Sequence, residues 1–353
     1  MTKPVLFVTN HAPPFRVGAF AQLHEREEVT FALVGGDVRH GGGTTEDTGA
    51  FPVLRVRERE VGALAASGRY RAVVAGLSGR LALPSAYAGA RRARVPFVLW
   101  ATIWEHPRTA AHALSYLPLR HLYRHADTIV TYGPHVSAYV RSKGARQAVV
   151  VAPQSVDNAY WNGQSDAIRR ADFQAAFVGR MTREKGLQVL IQAWRTSGLS
   201  ALSAALVLVG GGPIRARAVA TGAVLPEGPC SPGDVRNFYA GSDVVVLPSV
   251  PTRDFREPWG LVVNEAFNQG VPVIATDAVG AVAGGLVRHE RTGLVVPAGD
   301  ADALAAALRR MHGEPALRAR LGAAAREAVR AYTHDAWAAG MSSALAGVGA
   351  SRC

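Results

Sequence analysis

Glu257 and Glu265 stand on either side of a Pro-Trp-Gly turn in residues 256–270, REPWGLVVNEAFNQG, with seven residues between them. Ionised carboxylates only accept hydrogen bonds, so two that converge across a turn suit a ligand rich in hydroxyl groups. The pattern puts Glu257 in the loop leaving an apolar strand at 243–247, and Glu265 in the first turns of a helix that Gly260 or Leu261 begins. The amides of Trp259, Gly260 and Leu261 then become the free donors of a helix start, a ready site for phosphate. Carboxylates for vicinal hydroxyls beside amides for phosphate suit a sugar nucleotide. The same two glutamates also fit simple N-terminal helix charges favoured by the macrodipole.

A second segment, residues 177–194, FVGRMTREKGLQVLIQAW, reads as a buried strand, a loop and an amphipathic helix with Leu187, Leu190, Ile191 and Trp194 on one face. Arg180 leaves the strand and Lys185 opens the helix. A departing diphosphate needs fixed positive charge where negative charge develops, and an arginine fork with a lysine at a helix N-terminus supplies it. Of 39 basic residues only Lys3, Lys143 and Lys185 are lysines, so the chain departs from its usual cation at this position. The other reading is an exposed basic residue beside Glu184.

Taken together, these segments resemble family 4 of the retaining glycosyltransferases. The resemblance runs through most of the C-terminal half in five ordered stretches: GRMTREKG, LVLVGGGP, GSDVVVLPS, EPWGLVVNEAFNQGVPVIATDAVG and RTGLVVPAGD. It implies an α/β GT-B fold, with two Rossmann-like doubly wound parallel-sheet domains facing a central cleft. It makes Arg180 and Lys185 the ligands of the donor diphosphate, assigns Glu257 to hydroxyls of the transferred sugar, and assigns Glu265 to the ribose. The loop after Asp277, AVGAVAGGLV, lacks the acidic residue that often follows the glycines in the family, so no donor contact is carried over there.

By the same resemblance the N-terminal half holds the acceptor. Gly18, in PPFRVGAF, corresponds to the family's phosphate-facing glycine loop, although Val17 stands where a second glycine is common. A helix starting near Gly18 would aim its first amides at the ligand; a turn glycine without a ligand fits equally. Trp100, Trp104, Glu105 and His106 cluster at the C-terminal end of the strand VPFVLW, where open α/β sheets place ligands. The two tryptophans could stack on an acceptor and Glu105 or His106 could orient the attacking group, or the rings are core. The family often ends this strand in a histidine, where this chain has Trp100.

The rest of the chain must position these residues. Its 353 residues exceed the usual size of one core, and a hydrophobic fraction of 48% is ample for two. Apolar runs at 5–9, 29–34, 53–56, 72–75, 97–100, 128–131 and 149–151 alternate with helix-period segments, and a second series lies at 175–178, 205–209, 244–247, 273–275 and 294–296. The strand pattern lapses after 151. The expected division is an acceptor-binding domain at 1–155, a donor-binding domain at 156–331 and a C-terminal segment at 332–353. In the family the last helix, here 332–345, crosses back to the first lobe, with Trp337 suited to anchor it. Residues 35–49, GGDVRHGGGTTEDTG, read as a surface loop bordering the acceptor side.

No apolar run approaches ~20 residues, and MTKPVLFVTN lacks the pattern of a secretion signal. Two cysteines, Cys230 and Cys353, suggest neither a disulfide framework nor a metal site, which favours a cytoplasmic protein. The net charge of +12 is spread over arginine-rich helical faces without a nucleic-acid-binding module, so no nucleic-acid partner is expected. Residues 112–126, HALSYLPLRHLYRHA, combine leucines with arginines and histidines and suit either a helix packed on its own sheet or peripheral contact with an anionic membrane.

The leading functional reading is transfer of a sugar from a nucleoside-diphosphate sugar to a glycan, lipid carrier or small-molecule acceptor. No metal or other cofactor is expected. A phosphorylase or epimerase-like enzyme on the same fold, and a non-catalytic sugar-nucleotide-binding protein, are the alternatives.

Overall fold

The computed structural model describes residues 3–35, 49–77, 79, 81–215 and 222–350. The chain divides into two units, Met1–Asp157 with Tyr332–Cys353, and Asn158–Ala331.

The first unit alternates β1 (Val5–Thr9), α1 (Pro14–Glu27), β2 (Val29–Leu33), β3 (Val53–Arg55), α2 (Val61–Ala65), β4 (Ala72–Gly76), α3 (Ala82–Ala93), β5 (Phe97–Ala101), α4 (Ala110–His125), β6 (Thr128–Thr131), α5 (Pro134–Ser142) and β7 (Val149–Val151). Its strands form one parallel sheet in the order β3-β2-β1-β4-β5-β6-β7. Val5 registers with Val29 on one side and Ala72 on the other, so the strand order reverses around β1. Runs such as VLFVT and FVLWA are buried at every position, as parallel strands covered on both faces require. Phe7, Phe20, Phe31, Phe51 and Trp100 make the aromatic part of this core.

The second unit runs α6 (Asn158–Trp161), β8 (Phe173–Val178), α7 (Leu187–Ser197), β9 (Ala204–Val209), α8 (Pro232–Ala240), β10 (Val244–Leu247), α9 (Val262–Asn268), β11 (Val273–Thr276), α10 (Gly280–Ala283), β12 (Gly293–Val296), α11 (Ala301–Gly313) and α12 (Pro315–Ala328). Its parallel sheet has the order β12-β11-β10-β8-β9. The chain goes from β8 to β9 on one side and then crosses to β10 on the other, which opens a crevice at the carboxyl ends of β8 and β10. Leu187, Leu190 and Trp194 of α7 pack with Leu304, Leu308 and Met311 of α11 in this unit's core. The apolar stripe on α7 is the reason that segment is a helix with a fixed buried face.

A final helix, α13 (His334–Ala350), packs on α1, β6 and β7 in the first unit. Its Trp337 is fully buried, with its ring 5.6 Å from Phe20 and 5.8 Å from Trp100. All twelve sequence-predicted strands are present, with ends that coincide or shift by at most two residues. Most of the expected 35–49 loop lies outside the described residues. Among the described residues no helix is long and apolar enough to cross a membrane.

Candidate functional site

The second unit builds its site on the β8–β10 crevice. After β8 the chain turns through Gly179, whose φ is +146°, and the amide of Met181 donates to the Gly211 carbonyl at 2.7 Å. Arg183–Lys185 then form a single 3-10 turn, and α7 begins only at Leu187. Lys185 therefore precedes the helix instead of opening it. The cause is Gly186, which sits at φ +68° and lies so close to β10 that a Cβ there would fall 1.7 Å from the Pro248 carbonyl oxygen. A bond from the Val250 amide to the Glu184 carbonyl, 3.0 Å, fastens the same turn.

This approach brings Lys185 to Glu257. Lys185 Nζ lies 2.5 Å from Glu257 Oε2, and Ser249 Oγ donates to the same oxygen at 3.2 Å. Glu257 is buried and Lys185 mostly so, and the ammonium also lies 5.6 Å from the centre of the Phe255 ring. A buried carboxylate needs partners of this kind, and here a cation and a hydroxyl both serve it. Ser249 is held in turn by Thr276, whose hydroxyl donates to the Ser249 carbonyl at 2.5 Å. Arg180 is more exposed and pairs with Glu184 at 3.5 Å.

Glu265 lies in the first turn of α9, with Leu261 as the capping residue. Tyr239 Oη, itself buried, donates to Glu265 Oε2 at 2.7 Å. The residue as a whole is partly exposed, but its carboxyl group is desolvated, which pushes its pKa up to about 7 against the opposing Tyr239 hydrogen bond. The Trp259 ring is core: its Nε1 donates to Asn264 Oδ1 at 2.7 Å, and its carbonyl accepts from the Ala281 amide. Gly280 and Gly284 allow α10 to lie against the Pro258–Trp259 backbone and the Trp259 ring. The loop after Asp277 thus buttresses the Glu257 segment from behind. The backbone of Gly260 and Leu261 starts α9 between the two glutamates, with Gly260 at φ +94°.

In the first unit two expectations are corrected. Gly18 is not at a helix start. It lies one turn inside α1, which Pro14 begins, and a Cβ there would meet His334 Cδ2 at 2.7 Å. Gly18 is glycine because α13 packs on it, and its amide lies within the helix rather than among the free donors at its start. Trp100 is not a stacking platform either. It is 6% exposed, and its ring is edge-on to Phe7, Tyr132 and Trp337 at 5.5–5.8 Å. A strand buried on both faces leaves its penultimate ring in the core.

The other three residues of that cluster stay near the surface. Trp104 meets the His135 ring at 5.2 Å, and Glu105 pairs with Arg108 at 2.9 Å. His106 Nε2 lies 2.7 Å from the His112 carbonyl of α4. A carbonyl only accepts, so Nε2 donates, and Nδ1 is buried without a hydrogen-bond partner among the described residues. Sequence reasoning did not single out Ser249, Tyr239 or Arg16. A serine right after the strand VVVLP was the one available signal for Ser249; Tyr239 and Arg16 gave none.

Residues 172–314 match the family described as glycosyl transferases group 1, and the resemblance to that family is shown over them. Among curated proteins, the lipopolysaccharide core biosynthesis glycosyltransferase LpsD of Rhizobium meliloti is 32% identical over 228 residues, covering 59% of this chain and 60% of LpsD. A GDP-mannose-dependent alpha-mannosyltransferase of Mycobacterium tuberculosis is 31% identical over 239 residues, covering 60% of this chain and 56% of that protein. The chain thus spans less than two thirds of the relatives it matches. Among solved structures, Anabaena HepE in complex with UDP and glucose aligns over 98% of this chain and 100% of HepE, with a TM-score of 0.77 at 17% identity. The fold is GT-B.

Proposed function

We propose that the protein is a retaining family 4 glycosyltransferase that moves a sugar from a nucleoside-diphosphate sugar, with UDP or GDP as nucleotide, to a glycan, lipid-carrier or small-molecule acceptor, without a divalent cation. The observation that carries this reading is the convergence of Lys185 Nζ and Ser249 Oγ on one oxygen of buried Glu257 at the β8–β10 crevice. Glu257 is then oriented to accept from a sugar hydroxyl, while Lys185 offers its remaining N–H donors to a phosphate oxygen beside it. Arg180, at the end of β8, adds a second cation. As the anomeric C–O bond breaks, the electron pair moves onto the diphosphate, and these fixed charges favour the developing negative charge. The acceptor hydroxyl attacks from the leaving-group side and its proton passes to the departing diphosphate, which preserves the anomeric configuration. Glu265 accepts from the ribose hydroxyls. The matched family, the named activities of the relatives and the UDP-bound fold neighbour support the donor class.

The test is an NMR-followed transfer assay with UDP- and GDP-sugars, with and without EDTA. Retained anomeric configuration and EDTA-resistant turnover are expected. Inversion, or complete loss that magnesium restores, refutes the corresponding element; phosphate-dependent release of a sugar phosphate, or donor isomerisation without acceptor, replaces the reading with a phosphorylase or epimerase.

We further propose a cytoplasmic protein whose α4 touches anionic membrane. Leu114 and Leu117 are 83% and 68% exposed, while Leu122 and Tyr123 in the last turns are buried. The helix packs by its C-terminal end and presents leucines near Arg120, His121 and Arg124, the combination that binds an anionic interface. Sedimentation with phosphatidylglycerol vesicles, lost on Leu114→Ser/Leu117→Ser, is expected; binding that the double substitution leaves unchanged removes α4 from this role.

A further inference from the structure

The first unit contains a buried cation whose two η nitrogens have no hydrogen-bond partner among the described residues. Arg16, in the first turn of α1, is 3% exposed. Its guanidinium carbon lies 5.4 Å from the Trp100 ring, 5.5 Å from Tyr132 and Trp337, and 5.6 Å from Phe15. Neither Nη1 nor Nη2 has a hydrogen-bond partner among the described residues, and neither does Nε1 of Trp100 or of Trp337. The aromatic faces hold the charge through cation–π contact. They leave the N–H groups on the η nitrogens unsatisfied among the described residues, and a buried orphan donor is destabilising.

The composition of this set is informative. Guanidinium and indole nitrogens only donate, so all four orphan atoms require an acceptor. Nearby His334 does not provide one with charge: burial lowers its pKa, Asp157 raises it and Arg16 lowers it further. Its Nδ1 is already hydrogen-bonded to Ser155 Oγ at 3.1 Å. A fixed positive charge with donors on three touching side chains selects an oxyanion. The place fits a ligand, because α1 follows β1, Trp100 is the penultimate residue of β5 and Tyr132 follows β6, all at the carboxyl edge of the first sheet.

We propose that Arg16, Trp100 and Trp337 form an oxyanion subsite that takes the phosphate or carboxylate group of the acceptor. The oxyanion site stands on the donor set alone; its assignment to the acceptor rests on the glycosyltransferase reading above. The acceptor class is therefore anionic, and Trp100 contributes through its indole N–H instead of a stacked face.

The experiment is calorimetric titration and thermal melting of the whole protein with inorganic phosphate and with acetate, chloride holding the ionic strength constant. Binding of either oxyanion, at least tenfold weaker in Arg16→Met and unchanged by saturating nucleoside diphosphate, is expected. Trp337→Phe keeps the packing and removes one donor, and Arg16→Lys keeps the charge; both bind several-fold more weakly and report if Arg16→Met does not fold. No oxyanion effect beyond chloride, or equal binding in these variants, overturns the subsite and leaves the donors to buried water. Competition by nucleoside diphosphate overturns its assignment to the acceptor. Nucleotide binding in the second unit is read separately in the same samples, so its failure refutes the donor reading without touching the oxyanion result.

Discussion

The two units treat positive charge at their candidate sites in opposite ways. In the second, Lys185 is closed on Glu257 and Ser249, and Arg180 on Glu184, so each cation has a carboxylate from its own chain. In the first, Arg16 is enclosed by rings and has no hydrogen-bond partner for its η nitrogens among the described residues. A paired site is set in advance to share hydrogen bonds with a ligand of mixed character, hydroxyls on the carboxylate and phosphate on the ammonium. A donor-only site is satisfied by an anion. On the proposed function, the paired site is the donor region and the donor-only site the anion-binding acceptor region.

The largest expected effect breaks the paired side. Lys185→Ala and Glu257→Ala each lower kcat on the order of 10²–10³-fold or more, as loss of a preorganised charge does. Lys185→Ala also strands a buried carboxylate and costs about 3 kcal/mol, because one partner of a buried pair is gone. Lys185→Met/Glu257→Gln regains that stability in denaturant titration without regaining turnover. Near-normal turnover in both single variants removes the assignment.

Gly186→Ala comes next. Its Cβ has no room beside Pro248 and its φ is left-handed, so a loss of roughly 3 kcal/mol in chemical unfolding is expected, together with lost activity. An unaltered melting curve would show that the turn need not approach β10 so closely.

Glu265 gives a pH signature. Its pKa of about 7 means the carboxyl is largely protonated at pH 6 and ionised at pH 8. Ribose hydroxyls favour the ionised form, so nucleotide affinity rises with pH by up to about tenfold over that range, one proton being released on binding. In the free protein the sign runs the other way. The native state holds the proton more tightly than the unfolded chain between the ordinary value of 4.5 and about 7, so this group's contribution to stability falls as pH rises through that window. Glu265→Gln flattens both slopes; isothermal titration at three pH values checks the first and melting curves the second.

The smallest effect belongs to the first unit. Gly18→Ala forces its Cβ on His334 and costs about 1–3 kcal/mol by overpacking, while nucleotide affinity stays unchanged. Weaker nucleotide binding without a stability loss would restore the phosphate-loop reading that the structure displaced.

Strands were legible because runs such as VVVL and VLFVT have no other economical use in a chain that alternates with helix-period segments. Glu257 and Lys185 were legible as chemistry because a turn and a cation change mark them locally. Their meeting was not, since it depends on Gly186 lying against Pro248, a contact between segments 62 residues apart in the sequence. Gly18 was misread for a similar reason: what it accommodates is His334, at the far end of the chain. Trp100 was misread because a continuous apolar strand does not say which ring faces a ligand and which a neighbouring helix. Arg16 was invisible among so many arginines, and only its aromatic enclosure distinguishes it.

The most direct measurement is a thermal-shift titration of the purified protein with UDP, GDP, ADP and TDP and their sugar conjugates, in wild type and in Glu265→Ala. One nucleotide is expected to raise the melting temperature, by about 2.7 kcal/mol of stabilisation at 100 times its Kd, and to lose that effect in Glu265→Ala. No shift with any nucleotide, or an equal shift in both proteins, contradicts the placement of the donor in the second unit.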